Sequence, residues 1–118
     1  MDNETVRSFC LSLPHVTEGV QWDDDLLFRV GGKMFAVMAL EPSASNRLAF
    51  KCTPEKFEEL IELDGIIPAP YMARNKWVSL QRFDALKGEE IKDLIRNSYE
   101  MVFQKLPKKV QAQLKQSD

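Results

Sequence analysis

Two groups of side chains in this sequence suit an anionic ligand. Arg29, Arg47 and Lys51 fall on segments that alternate apolar and polar residues, with Met34 and Met38 among them. A strand sends successive side chains to opposite faces, so cations spaced in this way collect on one side of a sheet. There they can contact nucleic-acid phosphates. They can equally be ordinary solvated strand residues that discourage edge pairing, and the methionines can mark a protein-binding face. No Phe, Tyr or Trp is expected at the outer positions of the hairpin read over residues 26–40, so the stacking platform of RNA-binding sheets is missing. The second group lies in residues 68–77, where Tyr71, Arg74, Asn75, Lys76 and Trp77 follow Pro68 and Pro70. A long, proline-stiffened connection of this kind suits binding. Arg74 and Lys76 would meet an anionic group while Tyr71 or Trp77 stacks. The alternative is a structured connection with Trp77 in the core.

Other reactive types are present without the partners that chemistry needs. Glu18, Asp23, Asp24 and Asp25 are close in sequence, and clustered carboxylates can hold a divalent cation. The glycine and distal glutamate of an EF-hand loop are absent, however, and three consecutive acids point in different directions, so a solvated turn is the preferred reading and no metal is expected. The one histidine, His15, follows Pro14 in a turn. Cys10 and Cys52 sit at apolar-periodic positions, which fits buried free thiols in a reducing compartment. A nucleophilic Cys–His pair requires an accessible thiolate and an orienting third group. The chain has no phosphate-binding glycine loop and no Cys/His set for zinc. The expectation is therefore a binding module with no cofactor and no catalytic constellation, rather than an enzyme.

The elements that must position these residues follow from periodicity and punctuation. Val6, Phe9, Cys10 and Leu13 recur at helical spacing over residues 3–13, with Asp2 or Asn3 as cap and Pro14 as stop. Residues 19–22 predict a short strand, and Asp23, Asp24 and Asp25 a turn. Residues 26–30 and 33–40 predict two strands joined by Gly31 and Gly32, a two-residue hairpin with positive φ at both positions. That hairpin sets Val30 opposite Lys33, Arg29 opposite Met34 and Phe28 opposite Phe35. Phe28, Val30, Phe35 and Val37 then face the core, while Leu27, Arg29, Met34, Ala36 and Met38 face away. Residues 41–46 form a polar loop. Residues 47–52 alternate again, with Leu48, Phe50 and Cys52 inward and Arg47, Ala49 and Lys51 outward. Thr53 and Pro54 open a second helix with Phe57, Leu60 and Ile61 on its inner stripe, and Asp64 and Gly65 end it. Residues 66–76 are expected to be irregular because of Pro68 and Pro70, and residues 76–82 to form a last strand. A long helix from Gly88 or Glu89 to before Pro107 buries Ile91, Leu94, Ile95, Val102 and Leu106, with Ser98 allowing close packing and Tyr99 keeping its hydroxyl at the rim. A tail helix is expected over residues 107–114. Strands grouped together, with helices at the ends and in one insertion, argue an α+β fold: an antiparallel sheet with helices on one face.

With 118 residues, the chain has the length of one domain, taken as residues 1–118 with a core over about 4–106. The formal charge of −2 gives no global attraction to nucleic acid, although residues 105–118 carry Lys105, Lys108, Lys109 and Lys115 against Asp118. The acidic start lacks the apolar run of a signal peptide, and residues 34–40, the longest apolar stretch, are too short to span a bilayer. A cytoplasmic location without membrane contact is expected.

Several segments together resemble the MmcQ/YjbR family. They are Leu13-Pro14 after the first helix, Gly31-Gly32-Lys33-Met34-Phe35-Ala36, Leu48-Ala49-Phe50-Lys51 before Thr53-Pro54-Glu55, Ile67-Pro68-Ala69-Pro70-Tyr71, Lys76-Trp77-Val78 and Ser98-Tyr99. The resemblance implies a secretion-chaperone-like fold of order about α-β(3)-α-β(2)-α. Members are commonly described as DNA-binding, by likeness to a double-wing arrangement, which is an argument from fold alone. Some members carry a histidine before the tryptophan of the proline-rich segment. This chain has Lys76 there, so no role of that histidine transfers. Two functional expectations result. In the first, Arg29, Arg47, Lys51, Arg74 and Lys76 contact the phosphates of DNA. In the second, Met34, Met38 and Tyr71 anchor a protein partner.

Overall fold

The computed structural model describes residues 1–22 and 24–116. Helix α1 (Asn3–Ser12) starts at Asp2, whose carboxylate accepts from the Thr5 N–H at 2.8 Å. Four strands follow: β1 (Val16–Gln21), β2 (Asp25–Val30), β3 (Lys33–Ala39) and β4 (Leu48–Lys51). Then come α2 (Pro54–Leu60), β5 (Ile66–Pro68), β6 (Trp77–Leu80), α3 (Gly88–Gln104) and α4 (Lys108–Gln116). The six strands form one antiparallel sheet in the order β1-β2-β3-β4-β6-β5. Helix α3 lies across β3 and β4, α1 packs on β1, and α2 packs on β5 and β6. The fold is α+β, with helices covering one face of the sheet.

The hairpin forms at Gly31 and Gly32, with φ of +58° and +82°, and its first two pairs are Val30 with Lys33 and Arg29 with Met34. The third pair differs from the expected one: Phe28 faces Ala36, because a bulge admits one extra residue on β3. A bulge places two residues of one strand opposite one of its neighbour and reverses the alternation beyond it. Phe35 and Ala36 are therefore both buried beneath α3, and Met38 joins them. Val37 turns to the opposite face. This corrects the sequence-based faces at Ala36, Val37 and Met38, and it removes Met38 from the exposed anchors.

Helix α3 is what secures the bulge. Ser98 is fully buried. Its hydroxyl donates to the Phe35 carbonyl at 2.6 Å and accepts from the Lys51 N–H at 3.0 Å. The β3–β4 pairing runs only from Ala36–Phe50 to Met38–Leu48, so Ser98 satisfies two backbone groups just past its end. Buried polar groups left without partners are costly, which makes a small hydroxyl the fitting residue here. Phe35 also meets Tyr99 edge-on at 5.3 Å between ring centroids, and the Tyr99 hydroxyl donates to the Pro14 carbonyl.

Two further expectations are corrected. Residues 66–68 are a strand, β5, because Pro68 lies on the sheet edge, where it faces one neighbour only. Four strands precede α2 and two follow it, whereas the order implied by the resemblance has three before it. In addition, the sheet face opposite the helices is partly covered. Leu27, Val37, Ala69 and Trp77 form a second, smaller core there with Met34, Ala49 and Met72 against it. Residues 69–76 fold over the sheet to supply Ala69 and Met72, which seals Leu27 and Trp77 from water.

Candidate functional site

The open face of β4 and β6 presents Lys51 and Trp77 as a facing pair. The segment that leads into Trp77 makes a single 3-10 turn over Ala73–Asn75 and ends at Lys76 in the left-handed region, with φ of +65°. That conformation costs a side-chain-bearing residue roughly 1–2 kcal/mol. It is held by the Lys76 carbonyl accepting from the Cys52 N–H at 2.8 Å and by the Lys76 ammonium lying 5.1 Å over the Phe57 ring. Arg74, two residues earlier in the same turn, is exposed. The Lys51 ammonium donates to the Asn75 carbonyl at 2.8 Å. The segment and the strand are thereby tied together at the end of the sheet.

Two adjoining recesses open at this end. One, of about 340 Å³, is lined by Lys33, Met34, Lys51, Asn75, Trp77, Val102, Lys105 and Leu106. The other, of about 760 Å³, includes Lys51, Thr53, Arg74, Lys76, Asn97, Glu100, Gln104 and Lys105. Lys51, Asn75 and Lys105 border both. Burial holds the Lys51 ammonium below its ordinary range, and the neighbouring Lys105 charge adds to the effect. Among the described residues, none of Lys33, Lys51, Arg74, Lys76 and Lys105 forms an ion pair with a carboxylate, whereas Arg7, Lys56, Arg82 and Arg96 each do. Glu100 is the one carboxylate on the walls. A cluster of unneutralised cations on four different elements, over a partly apolar floor, is suited to an anion.

The sequence-derived site residues are divided by this geometry. Lys51, Arg74, Lys76 and Trp77 come together, although Trp77 is 6% exposed and contributes its rim rather than a free ring face. Tyr71 is fully exposed and lines a different groove with Trp22, Asp25, Met34, Val37, Pro70 and Met72. Arg29 is half-buried on β2 beside β1, its guanidinium close to Gly19. Arg47 is not on the outer face. It precedes β4, is 9% exposed, and lies 5.3 Å over the Phe83 ring. Its guanidinium donates to the Glu41 carbonyl, to Asn3 Oδ1 at 2.7 Å and to the Ala39 carbonyl at 3.4 Å. Three acceptors and an aromatic face make it a clamp between α1 and the 41–46 loop.

Lys33 and Lys105 were missed by the sequence reading. The signals were present but local: Lys33 closes the hairpin and Lys105 opens the basic C-terminal stretch, and only the packing of α3 on β3 and β4 brings them to Lys51. In the acidic cluster, Glu18 is paired with Arg7 at 2.6 Å, Asp25 starts β2, and Asp23 lies outside the described residues. Among the described residues no three His, Cys, Asp or Glu side chains are grouped to hold a metal. Cys10 and Cys52 are free and buried, which pushes their thiols up to about 12 and about 11. No described helix is long and apolar enough to cross a membrane.

The sequence model of the YjbR family matches residues 11–101, most of the chain and the whole of the sheet. The chain belongs to the YjbR family. A Deinococcus radiodurans protein with a DUF419 domain has a similar crystal structure, with a TM-score of 0.83 and 29% identity over 94% of this chain and 86% of that one. A Pseudomonas syringae protein shares the fold at a TM-score of 0.71 and 20% identity, over 86% of this chain and 99% of its own. No curated protein matches. YjbR membership accounts for the fold and assigns no activity.

Proposed function

We propose that this YjbR-family protein is a binding module whose basic cleft takes the phosphates of DNA, acting as a cytoplasmic binder rather than a catalyst. The observation that carries this reading is the convergence of Lys33, Lys51, Arg74, Lys76 and Lys105 with one carboxylate among the residues lining the two recesses. Phosphate contacts release counterions, so affinity falls with salt. With five such contacts, the log–log dependence of affinity on salt has a slope of about −3 to −5. Polarisation titrations of labelled oligonucleotides, single- and double-stranded, across a salt series measure this slope. Arg74→Glu with Lys76→Glu should abolish binding. Absence of binding at low salt, or a slope near zero, ends the proposal.

A protein partner is the second reading, favoured by the groove between the 22 and 71 loops. Trp22 is 64% exposed and Tyr71 fully so, and apolar Met34, Val37, Pro70 and Met72 lie between them. Paired aromatics around an apolar hollow are common anchors of protein interfaces. On this reading Trp22→Ala with Tyr71→Ala would weaken a pull-down of the partner and leave the oligonucleotide titration unchanged.

A further inference from the structure

The smaller recess has two chemistries a few side chains apart. Its rim carries Lys33, Lys51 and Lys105, and its floor is Met34, Trp77, Val102 and Leu106. Contact with the outside of a duplex needs only the rim, because the phosphates stand proud of the bases. An apolar hollow directly beneath phosphate-binding cations remains unexplained by backbone contact, and carbon left in water costs about 25 cal/mol per Å². The ligand that matches both parts is anionic on one side and flat and weakly polar on the other, with the two joined by a short flexible link. An unstacked nucleotide is such a ligand. Met34 is half-buried and its thioether adapts to a planar group. Trp77 is fixed by the second core and offers a rigid edge.

The geometry points to single-stranded nucleic acid as the ligand, with a phosphate on the sill formed by Lys51 and Lys105 and one base lowered onto Met34, Trp77, Val102 and Leu106. This inference rests on the nucleic-acid reading above and specifies it. The larger recess receives the neighbouring phosphate, where Arg74 and Lys76 stand beside Thr53 and Asn97. A duplex reaches the rim but not the floor, since lowering a base into the hollow first requires unpairing it, at a cost of a few kcal/mol.

The two tryptophans, Trp22 and Trp77, provide the test. Trp22 is exposed and lines the other groove, so Trp22→Phe leaves Trp77 as the sole tryptophan and alters no residue that lines the cleft. This variant is titrated with a thymidine oligonucleotide of about twelve residues, a mixed-sequence duplex of equal length, and thymidine monophosphate. The single strand should bind about ten-fold more tightly than the duplex, the gain expected of one base contact, and should change Trp77 emission saturably. Met34→Gln, neutral and nearly the same size, should remove most of that advantage while leaving duplex affinity unchanged. Equal affinity for strand and duplex with constant emission overturns the inference and leaves the backbone reading standing. No binding by either nucleic acid at low salt overturns both. Saturation and an emission change with the free nucleotide alone assign the hollow to a small molecule and overturn the single-strand inference.

Discussion

Arg47 and Lys51 stand four residues apart, and burial decides what each can do. Arg47 is enclosed by three acceptors and an aromatic ring, so its charge is used within the fold. Lys51 keeps an ammonium at the border of both recesses. The two substitutions should therefore separate stability from binding. Arg47→Ala should lower unfolding stability by about 2–4 kcal/mol, because charged hydrogen bonds are lost and their buried partners stay unmet, with the salt slope of oligonucleotide binding unchanged. Lys51→Gln should cost at most about 1 kcal/mol, for the lost bond to the Asn75 carbonyl, and reduce that slope by about one. The same comparison applies to Ser98. Ser98→Ala should cost about 1–3 kcal/mol, the penalty for stranding the Phe35 carbonyl and the Lys51 N–H, as read by urea denaturation. An effect below that range would mean that neither bond matters.

The hairpin is the element on which the cleft depends. Gly31 and Gly32 both have positive φ, yet their surroundings differ. A Cβ on Gly31 would meet Leu106 Cδ1 at 2.5 Å, whereas one on Gly32 would meet nothing within 4 Å. Gly31→Ala combines left-handed strain with a collision against a floor residue of the cleft, and should lower stability by about 2–4 kcal/mol. Gly32→Asn, a residue that tolerates this conformation, should cost less than about 1 kcal/mol. Thermal or urea unfolding of the pair checks the contrast, and similar losses in both would show that φ alone governs the turn. Three residues beyond Gly32, the bulge at Phe35 turns Val37 outward to meet Leu27 and Trp77. The extra residue thereby adds Val37 to the small second core.

At the scale of the whole molecule, charge is distributed rather than merely summed. A chain of net charge −2 places five cations around one end of its sheet, so its formal charge does not predict its affinity for anions. The two thiols also act globally, through pH. Folding holds Cys10 and Cys52 in their protonated forms, with values raised from 9.0 to about 12 and about 11. Below about pH 9 both folded and unfolded chains keep these protons, and the thiols leave stability unchanged with pH. Above it the unfolded chain releases protons that the native state retains, so stability falls as pH rises toward the folded values. Urea midpoints at pH 7, 9 and 10 should show this decline, and Cys10→Ala should flatten it. A decline just as steep in that variant would assign the effect to other groups.

Short-range sterics and periodicity carried much of the structure into the sequence. The Asp2 and Thr53 caps, the glycine hairpin, the inner stripes of α1, α2 and α3, and the burial of both cysteines depend on a few neighbouring residues, and the amino-acid types state them directly. Strand β5 was obscured by Pro68, because a proline excludes a central strand but not an edge, and edges are defined only once the sheet is assembled. The bulge at Phe35 was hidden for a related reason: the alternation of β3 is satisfied in either register, and the buried Ser98 hydroxyl, 63 residues away, supports the irregular one. Arg47 extends the alternating pattern of β4 by one residue in the sequence, yet tertiary packing offers it Asn3, Ala39 and Glu41, which outweigh exposure. Lys33, Lys51 and Lys105 lie on three elements far apart in the chain, and no local pattern can specify that they meet. The sequence by itself determined which segments bend, which coil and which side chains avoid water. The tertiary structure alone decided which cations share a surface, because that depends on how α3 settles on the sheet, a sum over long-range contacts that no single window of residues contains.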